Sequence, residues 1–459
     1  DLRRLPRLAR RDLDPNPPLH AVQPMQLAGA PLLVSDLATN GICYLDFGLD
    51  CSGLPAELLP YLDLFGTILT EIGTRRLDYM QFAQAINQCT GGFSHSFQAY
   101  LRADSRDTVR PILWLHVKVL SSFLEEALDL VNEVLTSVDF SDAHRIDEIV
   151  QREYAWAEHS AHSDGYSLAA TNAFAHLSQA GRYHEYVHGI HAYLHLKHLA
   201  GHYEPEEARL LAALEQIRDH IFRRRGLTVA ITAEAADIER FRALGAATVN
   251  SLADLAVTPA QPEFSLGART RACTTSADVV YNVQACTLFP QPEAYNGRFE
   301  VLRTWLSRDY LWNTVRQKNG AYGCFIQFNH LSGNFGMVSY RDPQVRRTYE
   351  AYEALPAVIG EMEVGGELLD QLVIGAYGSC VPHLGPAARG AAARNDYLCG
   401  ITPAFRRQRL AELLATTAGD LREYAPLFAE LQRSRCRTTL GSASRIEQDR
   451  NLFEQITEL

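Results

Sequence analysis

The chain has 459 residues, 47% of them hydrophobic and 21% charged, with a formal net charge of −11. That length exceeds one ordinary core and predicts a globular protein of two or three domains. The acidic balance, without a sustained Lys/Arg run, excludes a general nucleic-acid binder, and no apolar run nears the ~20 residues a membrane helix needs.

In chain order, residues 1–20 carry Pro6, Pro15, Pro17 and Pro18 and read as linker. Asp1 is not Met, and Arg and Pro stand where a signal peptide would have an apolar core, so the chain reads as a piece of something longer. Strand-like runs at 31–34 and 41–49 precede a helical stretch at 56–72. After Gly73 come a helix at 77–87, the pair Gly91-Gly92 and strands at 93–101 and 112–119. Long helices fill 120–198, and 227–232 closes the block as a strand. Residues 257–268 (VTPAQPEFSLGA) are a second linker. Beyond it a strand at 278–288 precedes a helix at 297–318, a turn at Asn319-Gly320 and a strand at 321–328. A turn at 332–334 and a strand at 335–340 follow, with helices in most of the remainder. The two blocks repeat strand, helix, Gly turn and strand, which predicts an internal duplication. The expected class is α+β, with largely antiparallel sheets packed by helices and divisions at 1–20, 21–260 and 261–459.

Nine cysteines with no C-x-x-C pair point to free thiols in a reducing compartment, either bacterial cytoplasm or an organelle matrix. Gly91-Gly92 beside Ser94 and Ser96 suggests a loop nucleophile, but the Gly-x-Ser-x-Gly elbow is missing. His184-Glu185-Tyr186-Val187-His188 is a literal His-Glu-x-x-His, and His191, His195 and His198 continue the stripe. On its own it proposes an autonomous zincin. Gly189 directly after the second His breaks the longer metzincin pattern, and a surface or interhelix stripe is the favoured reading. Arg316 and Tyr322, separated by a Gly turn, can converge from a helix end and a strand to hold a peptide carbonyl. By spacing alone the favoured reading is a helix cap for Arg316 and a core aromatic for Tyr322.

The run Arg316-Gln-Lys-Asn-Gly320-Ala321-Tyr322-Gly323, followed by Ser339-Tyr-Arg-Asp-Pro343, resembles the C-terminal half of the pitrilysin/insulinase zinc peptidases, in their presequence-protease branch. Leu5-Pro-Arg-Leu8 with Asp12-Leu13, and Leu177-Ser-Gln-Ala-Gly181 with Glu185 and Gly189-Ile190, resemble further segments of the same half. The resemblance implies two tandem pitrilysin-type α+β domains forming half of a clamshell. It also implies Arg316 and Tyr322 as catalytic and substrate contacts, with Gly320 and Ala321 beside them against the peptide. The family's active domain has His-x-x-Glu-His on a helix before a Gly-Thr. Here Gly73-Thr74 follows Leu64, Thr67 and Ile68, none of them zinc ligands. The implied enzyme is therefore a zinc endopeptidase for short unfolded peptides. Its zinc is held by an N-terminal catalytic half, in the same chain or a separate subunit, and this chain is expected to be inactive alone, with no metal of its own. An acidic half would favour basic peptides. No nucleic acid or membrane is expected as a partner. The fold is shared by the non-enzymatic core proteins of the respiratory cytochrome complex, and the retained Arg–Tyr pair argues against that role.

Overall fold

The computed structural model describes residues 8–459; Leu5, Pro6 and Arg7 of the quoted N-terminal stretch lie outside the described residues. Among the described residues, twelve strands form two six-stranded sheets. The first holds β1 (Gln23–Leu27), β2 (Ala30–Asp36), β3 (Ile42–Asp50), β4 (Gly92–Arg102), β5 (Ser105–Leu120) and β6 (Leu227–Ala233), in the order β1-β2-β6-β3-β5-β4. The second holds β7 (Thr270–Thr275), β8 (Val280–Thr287), β9 (Gly323–Asn329), β10 (Asn334–Tyr340), β11 (Cys436–Ser442) and β12 (Gln455–Glu458), in the order β12-β7-β11-β8-β10-β9.

The duplication is visible in the pairing. β2–β6 and β7–β11 are the corresponding parallel pairs. β6–β3–β5–β4 matches β11–β8–β10–β9, all antiparallel. The outer strand differs: β1 makes an antiparallel hairpin with β2, whereas β12 runs parallel to β7.

Side-chain alternation on β3 shows how each sheet is covered. Cys43, Leu45, Phe47 and Leu49 are fully buried, while Tyr44, Asp46 and Asp50 between them keep partial exposure. The apolar residues meet a helical layer that includes Leu62–Glu71, whose Leu62, Phe65, Ile68 and Leu69 join the same core. The second sheet builds an equivalent core with Phe299, Leu302, Leu306 and Leu311.

The halves also exchange one helix each. Tyr166–Ala175, between β5 and β6, packs Ala169, Ala170 and Ala173 against Tyr281, Val283, Val338 and Leu440 of the second sheet. Pro386–Cys399, in the corresponding position between β10 and β11, lies on the first sheet and adds Leu398 and Cys399 to its core. The small side chains of Tyr166–Ala175 allow close approach to the sheet, so neither half is packed by its own residues alone.

All nine cysteines are free, and most are buried. Burial pushes the Cys43 and Cys436 thiols up to about 11, which keeps them protonated and unreactive at neutral pH.

Candidate functional site

The Arg316–Tyr322 corner is built at the entry to edge strand β9. Phe299–Trp305 continues into Leu306–Lys318, a segment wound with π-type hydrogen bonding that buries Leu306, Leu311 and Val315. Its end is closed by three backbone N–H groups: Asn319 donates to the Thr314 carbonyl (3.1 Å), Gly320 to Arg316 (3.0 Å) and Ala321 to Val315 (3.1 Å). Gly320 has φ +89°, a left-handed conformation that glycine adopts without steric cost. Ala321 is then buried, and the next residue, Tyr322, is thrown outward with 69% of its surface exposed. Buried Val315 and Ala321 anchor the turn, so the phenol is held out by a fixed backbone.

Arg316 is half-buried with its guanidinium 3.8 Å from the Trp312 ring centre, a stacked arrangement that limits its rotamers and leaves donors free. Tyr322 leans on Tyr340 with ring centres 6.1 Å apart, and the Tyr340 hydroxyl donates to the Ser163 carbonyl at 3.2 Å. Sequence reasoning noted Tyr340 only as part of a motif. In the fold it is the floor under Tyr322, a role visible only once β10 is laid beside β9. Arg341 follows at φ +48°, and its carbonyl accepts from the Tyr322 N–H at 3.3 Å.

Asp342, fully buried, fixes this corner from below. Its Oδ2 accepts from Thr348 Oγ1 (2.7 Å) and Asn282 Nδ2 (3.1 Å), and its Oδ1 from the Gln344 N–H (2.8 Å). Asp342→Ala takes the acceptor from the buried Thr348 hydroxyl and the half-buried Gln344 N–H and is expected to cost ~2 kcal/mol of stability. A denaturant midpoint within error of wild type would contradict that.

Leu64, Thr67 and Ile68 are buried on Leu62–Glu71, their side chains directed into the packing. Their apolar and hydroxyl groups do not fit a zinc ion. Among the described residues no group of three or more His, Cys, Asp or Glu side chains has metal-binding geometry.

The His stripe is not one continuous helix. Gln179–His188 ends at Gly189, which is extended (φ −89°, ψ −162°), and Ile190–Gly201 begins a new helix. Glycine is required at the break: a Cβ at Gly189 would lie 2.1 Å from Glu185 Oε2. The histidines then diverge. His184 and His188 face Phe97, His191 stacks on Tyr186 at 3.9 Å, and His195 meets Tyr61 at 4.3 Å.

Glu185 is only 2% exposed. Its Oε1 accepts from Asn172 Nδ2 and the His191 N–H, both at 3.1 Å, and Asn172 Oδ1 accepts from Thr438 Oγ1 of β11 at 3.1 Å. It is a strut between the two halves rather than a base poised over a metal. Burial raises its carboxyl from 4.5 to about 7. The folded state thus holds a proton that the unfolded state releases, and this contribution to stability declines as pH rises from 4.5 to 7. Glu185→Gln removes the effect, so the stability of the variant relative to wild type is expected to grow by on the order of 2 kcal/mol across that window. A pH-independent difference would contradict the assignment.

Comparison with known proteins places this architecture. The profile for the associated region of peptidase family M16, subfamily C, matches residues 1–199, and that described as "PreP C-terminal domain" matches residues 272–440. The chain belongs to peptidase family M16, as a presequence-protease-type C-terminal half. It is 26% identical to Protein HypA of Clostridium perfringens over 99% of this chain and 47% of that protein. It is 27% identical to "Presequence protease 1, chloroplastic/mitochondrial" of Arabidopsis thaliana, over 98% of this chain and 42% of that one. The chain therefore spans about half the length of the curated relatives it matches. In fold, it is similar to a Helicobacter pylori protease (TM-score 0.64, 15% identity, covering 92% of this chain and 100% of that one). It is also similar to a "peptidase M16 inactive domain" from Pseudomonas fluorescens (TM-score 0.62, 13% identity, covering 92% and 98%). Among the described residues of this M16 half, no helix is long and apolar enough to cross a membrane.

Proposed function

We propose that this M16 half supplies the wall of a peptide-degrading chamber and two transition-state contacts, Arg316 and Tyr322. Its partner is an N-terminal half that holds zinc and cleaves short unfolded peptides in a reducing cytoplasm or organelle matrix. The observation that carries this is the exposure of Tyr322: a large aromatic with 69% of its surface in solvent, held there by a left-handed glycine turn between buried anchors, is built to meet something outside its own fold. In the assembled enzyme the Tyr322 phenol donates to the carbonyl oxygen of the scissile peptide bond. The Arg316 guanidinium, restrained on Trp312, adds a charged donor to the same oxygen as negative charge develops there. Gly320 and Ala321 present backbone to the peptide beside them. Zinc in the partner half supplies Lewis-acid activation.

The sequestered Glu185 and the broken His stripe support zinc residing elsewhere. Elemental analysis of the purified chain is the test, and well below one zinc per chain with no peptidase activity is the expected result. One zinc per chain, lost together with peptidase activity in His184→Ala, would favour the autonomous zincin instead.

A further inference from the structure

The face of the first sheet that meets the Pro386–Cys399 helix carries a second polar constellation. Ser96 Oγ on β4 is 2.7 Å from His116 Nε2 on β5, and His116 Nδ1 is 2.6 Å from Asp46 Oδ1 on β3. The direction of each bond follows from chemistry. A carboxylate only accepts, so His116 Nδ1 carries the proton and donates. In the neutral ring Nε2 is then bare and accepts, which makes the Ser96 hydroxyl the donor. Nucleophile, base and orienting carboxylate are thus in line, an arrangement recognised by geometry and roles rather than by chain order.

Support behind the three residues is extensive. Arg394, on the helix donated by the other half, pairs with Asp46 Oδ2 and lies 4.2 Å from the Trp114 ring centre. Both Asp46 oxygens are therefore engaged, and the carboxylate cannot turn from His116. The His116 ring stacks on Trp114 at 6.4 Å and 17°. Trp114 Nε1 donates to the Tyr100 hydroxyl at 3.0 Å, which donates to Asn395 at 3.0 Å. All three principals stand on sheet strands, and Asp46 pairs directly across from His116 in register. Ser96 itself is exposed and open to a substrate. Its strand is the sheet edge, so alternate β4 N–H groups point away from the sheet and can serve a developing oxyanion.

We propose that Ser96 is a base-activated nucleophile, giving the chain a serine-dependent acyl-transfer centre on its first sheet, apart from the Arg316–Tyr322 corner of the second. Toward an ester, Ser96 Oγ forms a bond to the carbonyl carbon while its proton passes to His116 Nε2. The ester C–O bond breaks, and the leaving alkoxide takes that proton. Water, deprotonated by the same nitrogen, then releases the acid and regenerates Ser96. The centre is independent of the peptidase reading and can stand or fall without it.

The test uses the full chain and a fluorophosphonate probe, whose phosphorus bonds to an activated serine oxygen with loss of fluoride. The expected result is one phosphonyl adduct per chain, mapped to Ser96 by mass spectrometry. The adduct should be absent in Ser96→Ala and undiminished in Ser94→Ala, a neighbouring exposed serine. In His116→Gln it should form at least ~100-fold more slowly. No adduct at Ser96, or labelling of equal rate in His116→Gln with the fold intact by circular dichroism, overturns the proposal and leaves the three residues as sheet packing.

Discussion

Replacing Tyr322 by Phe in the assembled two-half enzyme is expected to lower kcat/KM roughly 10–1000-fold, the range for loss of one oxyanion donor. The substitution removes a single hydroxyl from a side chain that is 69% exposed, so stability should barely change. Arg316→Lys should also be damaging. The guanidinium lies flat on Trp312 at 3.8 Å, and a point-charge ammonium reproduces neither the stacking nor the planar fork. Lys318 is the control, an exposed cation two positions further along. Lys318→Ala should be nearly silent if the effect belongs to Arg316 and Tyr322 rather than to local positive charge. Equal losses from all three variants, or wild-type kinetics in both the Arg316 and Tyr322 variants, would return this corner to a structural role.

Acid should unfold the chain through its buried imidazoles. Burial drives His176, His184, His195 and His330 from 6.5 down to about 4. In three of them, His176, His195 and His330, the Nε2 atom is enclosed without a hydrogen-bond partner. A proton added there has nothing to receive it. The unfolded chain binds those protons below pH 6.5 and the folded chain does not, so this part of the stability is complete above pH 6.5 and lost as pH falls toward 4. Discounted for partial exposure, each imidazole contributes on the order of 1 kcal/mol. Glu185 titrates with the opposite sign over part of the same range, one group against four. Denaturant midpoints should therefore drop steeply between pH 6.5 and 4.5, and His195→Gln with His330→Gln should flatten the drop. An unchanged slope in that double variant would contradict the assignment.

Much of this fold was legible from residue pattern. The alternation Cys43, Leu45, Phe47, Leu49 marked β3, and the repeated order of strand, helix, Gly turn and strand foretold two sheets of like topology. Four strands, β1, β7, β11 and β12, were not anticipated. Cys436–Ser442 is rich in Thr and Ser, and Gln455–Glu458 is only four residues long, so neither has an apolar period of its own. Both are held by pairing to β7, a long-range contact that no local window contains. The exchange of Tyr166–Ala175 and Pro386–Cys399 was invisible for the same reason: an Ala-rich helix face does not say which sheet it will meet.

At the site, the turn at Asn319-Gly320 was legible locally, whereas the exposure of Tyr322 was not, since by spacing alone it read as a core aromatic. The His stripe was read as surface or interhelix rather than catalytic, but its spacing alone did not show that it divides between two helices at Gly189. Ser96 was set aside for want of a nucleophile elbow. Its partners His116 and Asp46 lie 20 and 50 positions away along the chain, and only strand register brings them together.

The central claim, that this chain is the non-catalytic half of a two-half peptidase, is tested most directly by reconstitution. Hydrolysis of a short unfolded peptide is measured for the N-terminal half alone, for this chain alone and for the two mixed. The account predicts strong cleavage only in the mixture, with zinc confined to the N-terminal half and the gain lost in Tyr322→Phe. Full activity from the N-terminal half alone, or cleavage by this chain alone, would contradict it.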